Sequence, residues 1–245
     1  FPTHALFSGA ATGFGSRVGA PVQGLPRDDR SRRALARVCR AVCNYDPELG
    51  YCQGISFLAA TMLTYLDPEM TFWVLIGLLN ESRYGGLRDL FLSGFKKLKE
   101  MQWVVTQLMI AKDKKLHAHL EHVGFDYSMV LPQWFMCLFV YSLPLPAALR
   151  IWDILFYEGP KILYRAAVYM LRFHRKKIMR SDADEVFVLL CQQLGKDDAM
   201  FHDLDAFIEG VLDVDIKTKQ LEKLIATYHS THGPKDPLSS RINAN

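Results

Sequence analysis

Cysteine is scarce in this chain. Five occur in 245 residues, Cys39, Cys43, Cys52, Cys137 and Cys191, and each falls in an apolar stretch of helical period. An odd count in that setting excludes a disulfide framework and reads as buried, reduced thiols of a cytosolic protein. An excess of one charge is also missing. The 29 Lys and Arg against 26 Asp and Glu leave a net +3, with no basic patch of the kind a nucleic-acid binder needs. There is no convincing run of alternating apolar and polar residues, no repeat period and no signal peptide. The first two absences exclude a substantial sheet and a solenoid. The chain opens on Phe1 and not on Met, which reads as a fragment or a processed piece.

Half of the residues are hydrophobic, enough for a large core that needs no metal or disulfide. Apolar residues recur at helical spacing from Ser31 to Cys43 through Leu35, Val38 and Val42, with Arg32, Arg33, Arg37 and Arg40 largely on the other face. That face reads as solvated, with contact to an acidic partner as the alternative. Further helices are predicted over 53–66, from Asp67-Pro68 to Leu79, over 95–112, 132–142, 147–157, 162–178, 186–194, 204–212 and 216–228. Asp182 and Glu185 have capping-box spacing, and Gly159-Pro160 is a strong stop. The fold class is all-α: about ten helices in a single elongated domain of two lobes, with a flexible tail from 233 to 245.

Several stretches invite a chemical reading and fail it. Gly13 to Gly19 is glycine-rich but follows no strand and carries no Lys-Ser/Thr, so it reads as a surface loop and not as a phosphate cradle. His117, His119 and His122 crowd together, yet the residue four after His117 is Glu121 and no further ligand set is apparent, so no metal is expected. Tyr127 to Leu149 has no charged residue in 23 positions, but Pro132, Pro144 and Pro146 interrupt it, so it reads as core and not as a transmembrane span. The basic end of the 162–178 helix suits the negative end of a helix dipole, with a membrane-facing patch as the alternative. Cys52 has apolar neighbours and no nearby cation to lower its pKa, which argues against a nucleophile.

What remains is the stretch Asn44 to Leu58, in which Asp46-Pro47 and Gly50 form a turn between two helical patterns. Gln53 stands there between Tyr51 and Ile55, a polar amide at the mouth of an almost wholly apolar helix. An amide is neither acid nor base, but it can orient a water beside a phosphate.

Tyr51-Cys52-Gln53-Gly54, preceded by Tyr45-Asp46-Pro47-Glu48-Leu49-Gly50, resembles the Tyr-x-Gln-Gly motif of TBC domains, the GTPase-activating domains for Rab-type small GTPases. A second block in the right order supports the resemblance: Trp134 to Phe139, Leu143-Pro144, then Leu149-Arg150-Ile151-Trp152-Asp153 and Glu158-Gly159. Phe1-Pro2-Thr3-His4 is similar to the segment that follows the family's arginine motif. The likeness runs from Phe1 to about Tyr228, and the domain is placed at 1–232.

The resemblance implies an all-α fold and a GTPase activator working in trans with two fingers. Gln53 would be the glutamine finger that positions the attacking water. Tyr51, Cys52 and Gly54 would shape the turn and face the partner. Trp134, Arg150, Trp152 and Asp153 would be structural, with an Arg-Asp contact near a buried Trp. GTP and Mg²⁺ would belong to the GTP-bound Rab partner, and this chain would hold no cofactor and turn over no substrate of its own. The family's arginine motif would end about one residue before Phe1 and so lies outside this sequence. Since an arginine finger contributes about 10³–10⁵ in rate, this stretch alone is expected to be a poor activator. The alternative implied is a catalytically inactive TBC-like scaffold that binds a GTPase or another trafficking protein. A cytoplasmic location is expected, with any peripheral endomembrane tether in regions outside this chain.

Overall fold

The computed structural model describes residues 28–50, 52–196 and 198–232. The glycine-rich loop, the Phe1–His4 segment, Tyr51 and the tail from 233 lie outside the described residues. Among the described residues there are helices and turns and no strand. Their buried apolar side chains form one continuous core that runs from Val38 to Leu221.

Helix α1 (Asp29–Tyr45) starts because the Asp28 carboxylate accepts from the Ser31 N–H at 2.6 Å. It buries Val38 and Val42 and leaves Arg33, Arg37 and Arg40 in solvent. Helix α2 (Ile55–Met62) is shorter than the predicted 53–66. Gln53 stands in the turn before it, and the chain turns again after Met62. Helix α3 (Pro68–Asn80) begins at the predicted Asp67-Pro68 pair, where the Asp67 carboxylate accepts from the Glu69 and Met70 N–H groups. Two 3₁₀ turns (Ser82–Tyr84 and Leu87–Leu90) lead to α4 (Lys96–Lys112), which buries the expected Leu98, Met101, Val105, Leu108 and Met109. Helix α5 (Lys114–His122) follows.

Helix α6 (Leu131–Met136) departs from the predicted 132–142. It stops where the Phe139 N–H reaches back to the Trp134 carbonyl at 2.8 Å and the Leu138 N–H to the Phe135 carbonyl at 3.2 Å. That is the Schellman pattern, usually closed by glycine. Here Leu138 (φ 42°) and Phe139 (φ 69°) take the left-handed conformation instead. The strain is held in place by burial, with Leu138 1% and Phe139 0% exposed, and by the Trp152 indole N–H, which donates to the Leu138 carbonyl at 2.8 Å.

Trp152 lies on α7 (Leu145–Glu158), which ends at Gly159 as expected. The predicted helix over 162–178 is two helices, α8 (Lys161–Phe173) and α9 (Arg175–Ile178), broken at the buried His174. Helix α10 (Ala183–Val188) carries the full Asp182–Glu185 capping box. It does not continue as a regular helix to Leu194: residues Leu189–Gln193 widen into a π-type turn, and Leu194–Lys196 tighten into a 3₁₀ turn. A Cβ on Gly195 would stand 2.7 Å from the Ser142 carbonyl oxygen, so glycine lets this segment press on the chain beyond α6. Helices α11 (Asp198–Phe201), α12 (Leu204–Leu212) and α13 (Thr218–His232) complete the chain. Helix α13 packs on α4 through the buried Leu221 and through His229, whose Nε2 is 2.9 Å from the buried Glu100 carboxylate.

Two features bracket Gln53 along the chain. Arg88 clamps the turn that precedes it, over residues 46–50, with Nε 2.5 Å and Nη2 2.8 Å from the two Asp46 carboxylate oxygens and Nη2 2.8 Å from Glu48. Hydrogen bonds from Arg88 hold the Asp46 carboxyl below its ordinary pKa. Gly54 is the second feature and belongs with the site.

The expected Arg–Asp contact near the buried Trp forms with a different acid. Arg150 meets Asp205 on α12 at 3.2 Å, while Asp153 points to solvent. With side chains 50% and 84% exposed, the Arg150–Asp205 pair lies in water, where such contacts contribute little. The stabilising weight is on the tryptophans, Trp134 at 0% and Trp152 at 4% exposed.

Trp152→Ala is expected to destabilise the fold by about 3–5 kcal/mol, since it removes a buried ring. At this chain length that lowers the melting temperature by on the order of 10 °C, and an unchanged melting curve would contradict the role given to Trp152. Asp46→Asn is expected to cost about 1.5–3 kcal/mol at neutral pH, the range for hydrogen bonds to charged groups. Because the folded-state pKa of Asp46 is depressed, its contribution is present above the ordinary value of about 4 and fades as pH falls through the lower folded value. Urea denaturation should therefore show the gap between wild type and Asp46→Asn closing below about pH 4; a gap independent of pH would remove the ion pair from the account.

Candidate functional site

The turn between Gly50 and α2 is built around Gly54. Its backbone (φ 119°, ψ −49°) is closed to side-chain-bearing residues at ordinary cost. A Cβ there would lie 2.8 Å from the Met136 carbonyl oxygen and 3.0 Å from the Phe91 ring. Gly54 therefore presses the start of α2 onto the end of α6. Its carbonyl accepts from the Phe57 and Leu58 N–H groups at 2.9 and 3.2 Å, and the Cys52 carbonyl from Ile55 at 3.3 Å. Beyond the turn α2 is buried almost all round. Gln53 cannot follow its neighbours inward, and it is exposed.

Beside Gln53 opens a cavity of about 370 Å³. Phe57 and Tyr141 form one wall, their rings edge to face at 5.1 Å. Met136 and Cys137, from the end of α6, line it further, as do Phe187, Cys191 and Gln192 from α10 and the π-type turn. Gln133 ties these segments together: its amide NH₂ donates to the Ser142 hydroxyl at 2.7 Å and to the Cys191 carbonyl at 3.3 Å. No charged side chain lines the cavity among the described residues.

Its chemistry is that of amides and thiols. Burial raises the Cys52 thiol above its ordinary pKa, Cys191 to about 11, and Cys137 to about 12 with a further push from Cys52. At neutral pH all three are protonated, and a protonated thiol is a poor nucleophile. The arrangement has no acid or base, and offers an apolar surface with a glutamine amide at its rim.

The sequence-predicted residues separate into two groups. Cys52, Gln53 and Gly54 share one turn at the cavity, with Gly54 buried and acting through backbone geometry. Tyr51 lies outside the described residues. Trp134, Arg150, Trp152 and Asp153 do not line the cavity, but Trp134 lies within α6 and Trp152 bonds the turn that ends it. Two of the three histidines are occupied elsewhere. His117 stacks on Tyr127 with its Nδ1 3.2 Å from the phenol oxygen, and His119 Nε2 lies 2.9 Å from the Ile178 carbonyl oxygen. Among the described residues no group of three or more His, Cys, Asp or Glu is placed to hold a metal ion, and no helix is long and apolar enough to cross a membrane. Sequence reasoning missed Phe57, Gln133, Tyr141, Phe187 and Gln192. Gln133 gave a usable signal, an amide inside an uncharged run; the others look like ordinary helix residues until the fold joins them.

The model of the Rab-GTPase-TBC domain family matches residues 25–179. Growth hormone-regulated TBC protein 1-A of Danio rerio is 36% identical over 148 residues, 60% of this chain and 40% of that protein. Mouse Carabin is 34% identical over 146 residues, 58% of this chain and 31% of its own length. The GTPase-activating protein GYP5 of Saccharomyces cerevisiae is 33% identical over 162 residues, 66% of this chain and 18% of that protein. The matched part of this chain thus spans less than half the length of each of these relatives. Among solved structures, the Chlamydomonas flagellar RabGAP TBC domain superposes with a TM-score of 0.65 at 29% identity, over 76% of this chain and 60% of that one. The Ypt/Rab-GAP domain of Gyp1p superposes at 0.63 with 18% identity, over 84% and 69%, a likeness of fold alone. With the family model matching well over half of it, and with an all-helical fold shared with those domains, the chain belongs to the Rab-GTPase-TBC domain family.

Proposed function

We propose that this chain acts as a GTPase activator for Rab-type small GTPases, completing the partner's active site in trans. The observation that carries the reading is Gln53: an exposed amide on a turn fixed by Gly54, beside an open cavity with no charged lining residue among those described. The family membership and the GTPase-activating relative GYP5 support the same reading.

In the mechanism we propose, Gln53 enters the nucleotide pocket of the GTP-bound partner and orients the attacking water. An arginine finger expected just upstream of Phe1 offsets the charge that develops on the transferred phosphoryl group. GTP and Mg²⁺ are the partner's. The amide of Gln53 neither gives nor takes a proton; its contribution is orientation by a rigidly mounted group. A buried turn behind an exposed side chain suits that task, because little conformational freedom is left to lose when the partner docks. The proposed setting is cytoplasmic, with any endomembrane attachment supplied by regions outside this chain.

The test is single-turnover GTP hydrolysis with a panel of Rab proteins, using the chain extended through its upstream arginine segment. Gln53→Ala should lower the stimulated rate at least tenfold with an unchanged melting temperature, since the side chain is exposed. Undiminished stimulation by Gln53→Ala would exclude the glutamine from the chemistry, and no stimulation of any Rab by the wild-type protein would exclude the activator reading.

A further inference from the structure

The cavity beside Gln53 is more than clearance for the finger. Resting on the reading above, we propose that it is an anchor pocket for one aromatic side chain with a polar tip, a tyrosine or tryptophan, on the surface of the partner GTPase next to its nucleotide.

Four observations carry this. The cavity is continuous with the proposed docking point, since Gln53 is itself one of its lining residues. Its volume of about 370 Å³ is enough for one large side chain and too small for a folded element such as a helix, whose diameter with side chains is about 10–12 Å. Its lining includes the rings of Phe57, Phe95, Tyr141 and Phe187, of which Phe57 and Tyr141 pack edge to face, and no lining group among the described residues carries a charge. A charged side chain would lose its hydration there without a counter-charge, which disfavours Lys, Arg, Asp or Glu as the occupant.

The fourth observation selects the polar tip. Gln133 is 8% exposed and lines the cavity. Both of its hydrogen bonds are donated, by the NH₂ group to Ser142 and to the Cys191 carbonyl, which leaves the amide oxygen with no donor among the described residues. The oxygen is not itself sealed from solvent, and an occupant that displaces that solvent must supply an O–H or N–H in exchange. Phenylalanine or leucine would fill the volume and leave the acceptor unmet; tyrosine and tryptophan carry an apolar body and a donor together.

The lining residues from α10 and the π-type turn have a consequence for selectivity. Phe187, Cys191 and Gln192 lie beyond residue 179, where the match to the shared family domain ends. Phe187 is placed by the end of α10, and Cys191 and Gln192 by the π-type turn, an element often found at functional sites. The catalytic glutamine and the lining that would choose among partners thus sit on different parts of the chain, so binding and chemistry are separable by mutation.

Gln192 is exposed, so Gln192→Trp can fill the pocket from its rim without disturbing the core. The extended chain is titrated against GTP-loaded partner in multiple-turnover hydrolysis, with wild type, Gln192→Trp and Gln53→Ala compared and each checked by thermal melting. Gln192→Trp should raise KM at least tenfold with kcat within about threefold, whereas Gln53→Ala should lower kcat. In the partner, replacing the docking Tyr or Trp by Phe should weaken binding of the wild-type chain severalfold and by Leu more strongly, and neither change should add to the effect of Gln192→Trp. An unchanged KM in Gln192→Trp, with Gln53→Ala still defective, would overturn the pocket and leave the activator reading intact. A raised KM with no sensitivity to any Tyr or Trp on the partner would overturn the aromatic assignment. Absence of stimulation by the wild-type chain would overturn both readings together.

Discussion

Between residue 54 and the carbonyl of Met136 there is space for a hydrogen atom and nothing larger. That close approach joins two helices that each end unusually: α2 begins after a backbone conformation open to glycine, and α6 ends in a left-handed turn built without glycine. The two irregularities meet at one place. Because α2 cannot slide or rotate against α6 at this point, the residue before Gly54 is held outside the core while Ile55 and Leu58 to Met62 after it are buried.

The same junction depends on Trp152. Its indole N–H takes the carbonyl of Leu138, in the turn that ends α6, while its ring is buried in the core. The second block of family-like residues and the glutamine turn are therefore parts of one mechanical unit, although about a hundred residues separate them in the chain. Arg88 holds the preceding turn, after α1, through Asp46 and Glu48. An amide side chain is a weak chemical tool, and its usefulness lies in being held where a water must stand. The structure around Gln53 is organised to hold it.

The helical class, the caps at Asp67 and Asp182, the stop at Gly159 and the span of α12 were legible in the sequence, because each follows from local chemistry: a side-chain oxygen at a helix start, a glycine at its end, or an apolar period within it. The places where local reading failed share a cause. Helix α6 was expected to run on to 142, since nothing in Cys137-Leu138-Phe139 signals a stop; it stops because burying Leu138 and Phe139 and satisfying Trp152 outweigh a few unfavourable dihedral angles. The helix over 162–178 breaks at the buried His174 and the helix over 186–194 widens into a π-type turn, neither with a glycine or proline within it to signal the change. Arg150 pairs with Asp205 and not with the acid three residues away, a choice made by how α7 and α12 lie together.

For the site the division is similar. The sequence by itself determined the all-helical character, the oddity of Gln53 and the likeness to a family, since these depend on residue type and spacing along the chain. The tertiary structure alone decided that Gln53 faces outward, that a cavity opens beside it, and that Phe57, Gln133, Tyr141, Phe187 and Gln192 share that cavity. The physical reason is that side-chain direction at a turn, and the meeting of segments more than a hundred residues apart, are set by how helices pack around a common core. Local periodicity carries no record of that packing.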